Sequence, residues 1–282
     1  MMSTEGHEEK MQGVWEPGTL LADRYQIEGV VKPSATCCLY RARDVFRATS
    51  HLIVGPGRAA CMQEGGLTWF EQYCQKAVSI PAHPNVLTPK RVDHHRTIAF
   101  LLMPDFEGKF WDAAIREGDL RDNPAMLSVA TQCARGLAWL HRQGCIHYNV
   151  KPANVVLCDS GFTKVWKYGE SGASTRAYAS PEQVDGKELT PATDIWSWGV
   201  SVLHMFVGKV TWPSGHVAAS ILERYVRGGP AVQGIAPMPG PLTELLTRCF
   251  SSDPAGRPSD MKEVVNVLES ITGAPAPSDA GP

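Results

Sequence analysis

The sequence predicts an α+β fold of two unequal lobes, a small strand-rich one followed by a larger helical one. Three observations predict it. The segment Tyr25–Met103 consists of short β-branched and aromatic runs parted by turn residues. From about Asn123 the apolar residues recur at helical spacing instead. The chain, at 282 residues, is long enough to close a core in each part. The change of periodicity occurs once, without internal repeats, and such an order is expected to leave a cleft between the lobes.

The expected strands are YQIEGVV from Tyr25, CCLYRARD from Cys37, HLIV from His51 and IAFLLM from Ile98. One helix interrupts them, LTWFEQYCQKAV at Leu67–Val78, and Gly55-Pro56-Gly57 reads as a turn. In the second part Asn123 is the expected N-cap, with Pro124 at the first helical position. Met126, Val129, Ala130, Cys133, Leu137 and Leu140 then form one buried stripe. A further helix opens near Thr190-Pro191 and stops at Gly208. The last runs from Met261 to Ile271, with Met261, Val264, Val265, Leu268 and Ile271 on one face. Trp69, Trp111, Trp139, Trp166 and Trp212 are expected mostly in cores, with one at an interface.

Composition excludes several classes of function. The chain is 43% hydrophobic and 20% charged, with a formal net charge of -2. That balance is ordinary for a globular protein and lacks the basic excess of nucleic-acid or anionic-membrane binders. The start MMSTEGHEEK is polar and acidic, unlike a secretory signal. The longest apolar run, Ile195 to Val207, carries Ser197, Ser201 and His204 and is too short to span a bilayer. Eight cysteines lack metal-ligand spacing apart from the adjacent Cys37–Cys38, so reduced thiols in a cytoplasmic protein are expected.

The motifs lie chiefly in the second half. GCIHYNVKPANVVL, at Gly144–Leu157, resembles the catalytic loop of eukaryotic-type Ser/Thr protein kinases, with His147, Tyr148 and Asn149 at the His-Arg-Asp positions, followed by Lys151 and Asn154. YASPEQ at Tyr178–Gln183 resembles the family's Ala-Pro-Glu motif. DIWSWGV at Asp194–Val200 resembles the run that opens its central helix, and DPAGRPS at Asp253–Ser259 its late arginine motif. HPNVL, at His83–Leu87, matches the exit from the regulatory helix. The resemblance covers about residues 22 to 272. It implies a bilobal protein-kinase-like fold with an N-lobe at 22–103, a hinge at 104–108 beside Met103, and a C-lobe at 109–272. Residues 1–21 and 273–282 are expected to be disordered or extended, because Pro, Gly, Ala and Ser there bury too little surface to offset chain entropy. The resemblance also implies structural roles: Glu182 pairs with Arg257, Asp194 accepts from the catalytic-loop backbone alongside His147, and Tyr168 packs as the family's Phe does.

The chemistry that phosphoryl transfer needs is missing from the matching positions. The carboxylate that takes the acceptor's proton is replaced by Asn149, whose neutral amide cannot do so. The metal-binding Asp-Phe-Gly triplet reads Lys167-Tyr168-Gly169, and a cation cannot ligate Mg²⁺. Asn154 keeps the second metal position, which alone makes a weak site. The strand lysine that reaches the phosphates falls at Val54, and its helix glutamate at Cys74. Glu71 lies one turn away, and Arg58 is the nearest replacement cation. The three glycines of the phosphate loop correspond to Lys32, Ser34 and Cys37, and no glycine occurs from Lys32 to Asp44. Leu52 stands where a small residue roofs the adenine. Five residues, Glu170–Ser174, separate Gly169 from Thr175, which leaves little platform for a peptide substrate. Cys37, Cys38 and Cys74 are expected to line the former nucleotide cleft.

The resemblance and these losses together imply a pseudokinase, a catalytically inactive, cytoplasmic module that binds or scaffolds a protein partner. No cofactor is expected, with ATP and Mg²⁺ binding weak or absent, and no nucleic acid or membrane span. The alternatives are an ATP-dependent transferase that uses Lys151, Asn154, Lys167 or Arg58 around a re-oriented nucleotide, and a weakly active Ser/Thr kinase.

Overall fold

The computed structural model describes residues 14–160, 163–165 and 176–273, with 163–165 given by backbone alone. The described chain forms two compact units. One holds residues 14–83 and 87–106; the other holds 84–86, 107–160, 163–165 and 176–273.

The first unit is an antiparallel sheet of six strands in the order β1-β2-β3-β4-β6-β5. Its elements are β1 (Leu20–Leu21), β2 (Tyr25–Lys32), β3 (Cys37–Asp44), β4 (Ser50–Pro56), α1 (Arg58–Met62), α2 (Gly66–Val78), β5 (Arg91–His95) and β6 (Ile98–Met103). Side chains of a strand alternate between faces. Cys38, Tyr40 and Ala42 of β3 therefore join Tyr25, Ile27, Ile53, Phe100 and Leu102 in one apolar cluster. Helix α2 packs against β5 and β6 and buries Phe70, Cys74 and Ala77.

Two expectations are corrected here. The stretch through residue 21 is ordered from 14 onward, because Trp15 has an apolar surface to bury. Its indole lies 5.3 Å from the Tyr40 ring and edge-on to Phe100 at 6.1 Å. The Tyr40 hydroxyl accepts from the Val14 amide at 2.8 Å, and Leu21 is buried in the same cluster. Second, Gly55-Pro56 is not a turn: β4 runs through Pro56, in register with Cys37. Gly55 is needed because a Cβ there would drive into the Trp15 indole.

The second unit contains the three-stranded sheet β7 (Gly108–Phe110), β8 (Val155–Cys158) and β9 (Thr163–Val165) with helices α3 (Trp111–Glu117), α4 (Asn123–Arg142), α5 (Pro181–Val184), α6 (Pro191–Val207), α7 (Ala218–Gly228), α8 (Gly240–Cys249) and α9 (Met261–Thr272). Every residue of α6 from Thr193 to Val207 is buried, so this helix is the centre of the unit. It ends at Gly208, whose φ of 85° suits glycine. Asp122, and not Asn123, caps α4: its carboxylate accepts from the Ala125 amide at 2.9 Å. Asn123 instead donates to the Pro237 carbonyl. Helix α9 packs on α4, where Arg135 meets Glu269 at 2.8 Å. Trp111 and Trp212 are buried, whereas Trp69 is exposed and stacks on Tyr73. Trp166 lies outside the described residues. Among the described residues no helix is long and apolar enough to cross a membrane, and all eight cysteines are free thiols.

Candidate functional site

The positions expected from the sequence to form a phosphate-binding apparatus lie in the small unit, and Val54, Leu52 and Cys74 among them are buried. Val54 is fully buried in β4, paired with Leu39 of β3 and Leu101 of β6. Leu52, on the same face two residues earlier, is paired with Met103 and likewise buried. Cys74 is buried on α2. Burial pushes its thiol well above the ordinary range, and nearby Cys37 and Glu71 push the same way. Glu71 itself turns to β5, bonding His94 Nε2 at 2.9 Å and accepting from Gln75 at 3.0 Å. Arg58 is exposed at the start of α1.

The loop between β2 and β3, residues 33–36, is fastened to the start of α1. The Gly57 amide donates to the Thr36 carbonyl at 2.6 Å and the Ala59 amide to the Ala35 carbonyl at 3.0 Å. The Cys38 thiol donates to the Ser34 carbonyl at 3.1 Å. Gly57 permits this approach, since a Cβ would meet the carbonyl oxygens of Ala35 and Ser34. Lys32, at the end of β2, and Ser34 are half-buried, and Cys37 is buried. The expectation that Cys37 and Cys38 line one surface is corrected: adjacent strand residues face opposite ways, and Cys38 belongs to the cluster around Trp15. Sequence reasoning missed Gly57 and Ala59 as partners of this loop; the one available signal was the paired glycines around Pro56.

The second unit carries the loop from His147 to Asn154. Asp194, buried at the start of α6, organises it. Its carboxylate accepts from the His147 amide at 2.7 Å and the Tyr148 amide at 2.8 Å, and bonds His141 Nε2 at 2.8 Å. Tyr148 adopts a left-handed φ of 64°, and its carbonyl accepts from Gln183 Nε2 at 2.8 Å. The Asn149 amide donates to His147 Nδ1 at 3.2 Å, and Asn154 Nδ2 donates to the Asn149 carbonyl at 2.8 Å. Lys151 is half-buried. Burial lowers its pKa, with Asp112 acting in the opposite direction.

Glu182 and Arg257 form a bidentate buried pair at 2.7 and 2.8 Å. Arg257 also donates to the Ala192 and Ser251 carbonyls and lies over the Trp196 ring. Burial works against the Glu182 charge, but the bonds from Arg257 and the Thr193 hydroxyl outweigh it and hold the carboxyl at about 2. His141 and Gln183 were not singled out from the sequence. Their bonds depend on residues 53 and 35 positions away. Lys167, Tyr168, Gly169 and Thr175 lie outside the described residues.

Chemically, this loop is a formed backbone scaffold, and Asn149, expected at its proton-accepting position, is a carboxamide. A carboxamide has no useful basicity near neutral pH, so it can hold an acceptor group by hydrogen bonding but cannot deprotonate one.

Comparison with known proteins gives a consistent picture. The protein kinase domain model matches residues 62–268, which leaves β1 to β4 outside the match. A probable serine/threonine-protein kinase of Clostridium acetobutylicum is 25% identical over 270 residues, covering 90% of this chain and 41% of that protein. Serine/threonine-protein kinase A of Synechocystis is 26% identical, covering 89% of this chain and 54% of that protein. The chain thus spans about half, or less, of the length of these curated relatives. The crystal structure of the Mycobacterium tuberculosis PknI kinase domain superposes with a TM-score of 0.69 at 18% identity, covering 92% of this chain and 100% of that one.

Proposed function

The chain belongs to the protein kinase family, and we propose that within it this protein is a pseudokinase, a folded module that binds a protein partner and does not transfer phosphate. The fastening of residues 33–36 to Gly57 and Ala59 carries this reading. A phosphate loop works by laying bare backbone amides against the nucleotide. Here the corresponding loop contains no glycine and is bonded back onto its own unit.

Three further features support the same reading. The strand position that needs a cation is Val54, in apolar surroundings, and the helix position that needs a carboxylate is Cys74. Asn149 stands at the base position, and general-base assistance is worth roughly 10²–10⁴ in rate. Lys167, at the metal position, carries the wrong charge for Mg²⁺. By contrast, the groups that maintain the fold are in place: Asp194 under the loop, and Glu182 against Arg257. Retained scaffold without retained chemistry fits a docking or regulatory role in the cytoplasm.

The curated relatives are named as kinases, so residual catalysis is the reading to test against. The purified chain is incubated with radiolabelled ATP and Mg²⁺, alone and with a generic basic protein acceptor. The pseudokinase reading expects no label above a heat-denatured control. Label transfer abolished by Lys151→Ala would replace it with an enzyme of altered chemistry.

A further inference from the structure

Three turns are joined at one edge of the small unit. The turn after β3 is held to the β1–β2 turn by the Val45 amide, which donates to the Arg24 carbonyl at 2.9 Å. The β1–β2 turn is held to the end of β5 by the Ala22 amide, which donates to His95 Nδ1 at 3.2 Å. Arg96 follows His95 with a left-handed φ of 56°.

Apolar side chains are exposed along this edge: Phe46 at 76%, Val45 at 45% and Leu20 at 40%. The apex that presents Phe46 is firmly built. One oxygen of the buried Asp44 accepts from the Phe46 amide at 3.0 Å and the Arg47 amide at 3.2 Å. Its other oxygen accepts from Arg24 Nε at 2.9 Å and Nη2 at 2.7 Å. Asp44 therefore spends its charge inside the turn, and Asp93 spends its charge on Arg91. Arg43, Arg47 and Arg96 are exposed and, among the described residues, form no ion pair. The carboxylates left exposed here are Asp23, in the β1–β2 turn, and Glu28, on β2 two residues beyond Gln26, the partner of Arg43. The edge is thus locally basic, which the whole-chain charge of -2 conceals.

We propose that this edge is a peripheral contact for an anionic lipid surface, with Phe46 entering the boundary between headgroups and acyl chains and Arg43, Arg47 and Arg96 meeting lipid phosphates. A firmly held turn can insert an aromatic side chain into the membrane interface, where aromatic rings are favoured. Basic residues beside an anionic leaflet add attraction one by one. The contact is independent of whether the protein transfers phosphate.

The test is co-sedimentation of the chain with phosphatidylserine–phosphatidylcholine vesicles and with phosphatidylcholine vesicles, at low and high salt. Binding is expected to the first alone and to weaken with salt. Phe46→Ala should lower partitioning about tenfold, and Arg47→Ala and Arg96→Ala about fivefold each. Met62→Ala, which removes another exposed side chain beyond the opposite end of β4, should leave it unchanged. Thermal melts of each variant verify folding. Failure to sediment with the anionic vesicles overturns the proposal, as does sedimentation indifferent to Phe46. Retention on immobilised polyglutamate without vesicle binding would assign the edge to an acidic protein instead and also overturn it.

Discussion

The Gly57 amide donates to the Thr36 carbonyl at 2.6 Å, and this bond fastens the loop between β2 and β3 to the start of α1. Gly57 has no room for a side chain, since a Cβ would meet the carbonyl oxygens of Ala35 and Ser34. Gly57→Ala is therefore expected to destabilise the protein by about 1–3 kcal/mol. The urea midpoint should fall, and amide exchange should rise at Gly57 and Ala59. An unchanged exchange pattern would show that the loop is held by other means.

Glu182 and Arg257 should be individually indispensable. Glu182→Ala leaves a guanidinium buried with one charge partner removed, a change that costs about 3–5 kcal/mol. Because the folded carboxyl titrates at about 2, below its unfolded value of about 4.3, its stabilisation is fully present above the unfolded value. It is lost as pH falls toward 2. Chemical denaturation from pH 5 downward should show this loss, and the Glu182→Gln variant should show less of it.

His204 predicts a second, higher window. It is buried beside Tyr178, whose hydroxyl it bonds at 3.0 Å, and edge-on to Trp212. Burial, only partly opposed by Asp112, lowers its pKa to about 4. The native state thus holds the neutral ring. Stability from this site is complete above the unfolded value of about 6.5 and is lost as pH falls from there toward 4. In NMR titrations His204 should remain neutral at pH 6, and His204→Phe should flatten stability between pH 6.5 and 4. A ring that protonates near 6.5 would contradict this.

On the proposed pseudokinase reading, a single substitution should not produce activity. Asn149→Asp places a carboxylate at the proposed base position but leaves Val54, Cys74, Lys167 and the fastened loop unchanged. Label transfer from ATP should stay at background in this variant. A measurable rate would mean that Asn149 was the main lesion.

The larger unit was the more legible in the sequence. The resemblance to the kinase family implied the Glu182–Arg257 pair, and the cap residues Thr190 and Gly208 marked the bounds of α6 in the sequence itself. The small unit was less so, for reasons its residues explain. β5, RVDHH, is a polar edge strand half-covered by α2, and its burial pattern has no clean alternation. Gly55-Pro56-Gly57 reads as a turn unless Trp15, forty positions earlier, is known to need the space. Asp122 outcompeted the neighbouring Asn123 as a cap because both are good cap residues and local sequence cannot rank them. The fastening of residues 33–36 rests on backbone groups, which leave no mark on side-chain patterns.

The central claim is that this chain keeps the kinase scaffold without a working nucleotide site. Titration of ATP with Mg²⁺ into the intact chain, followed by isothermal calorimetry, tests it most directly. The account predicts no saturable heat up to millimolar nucleotide, with or without metal. A one-to-one, Mg²⁺-dependent isotherm at micromolar affinity would contradict it.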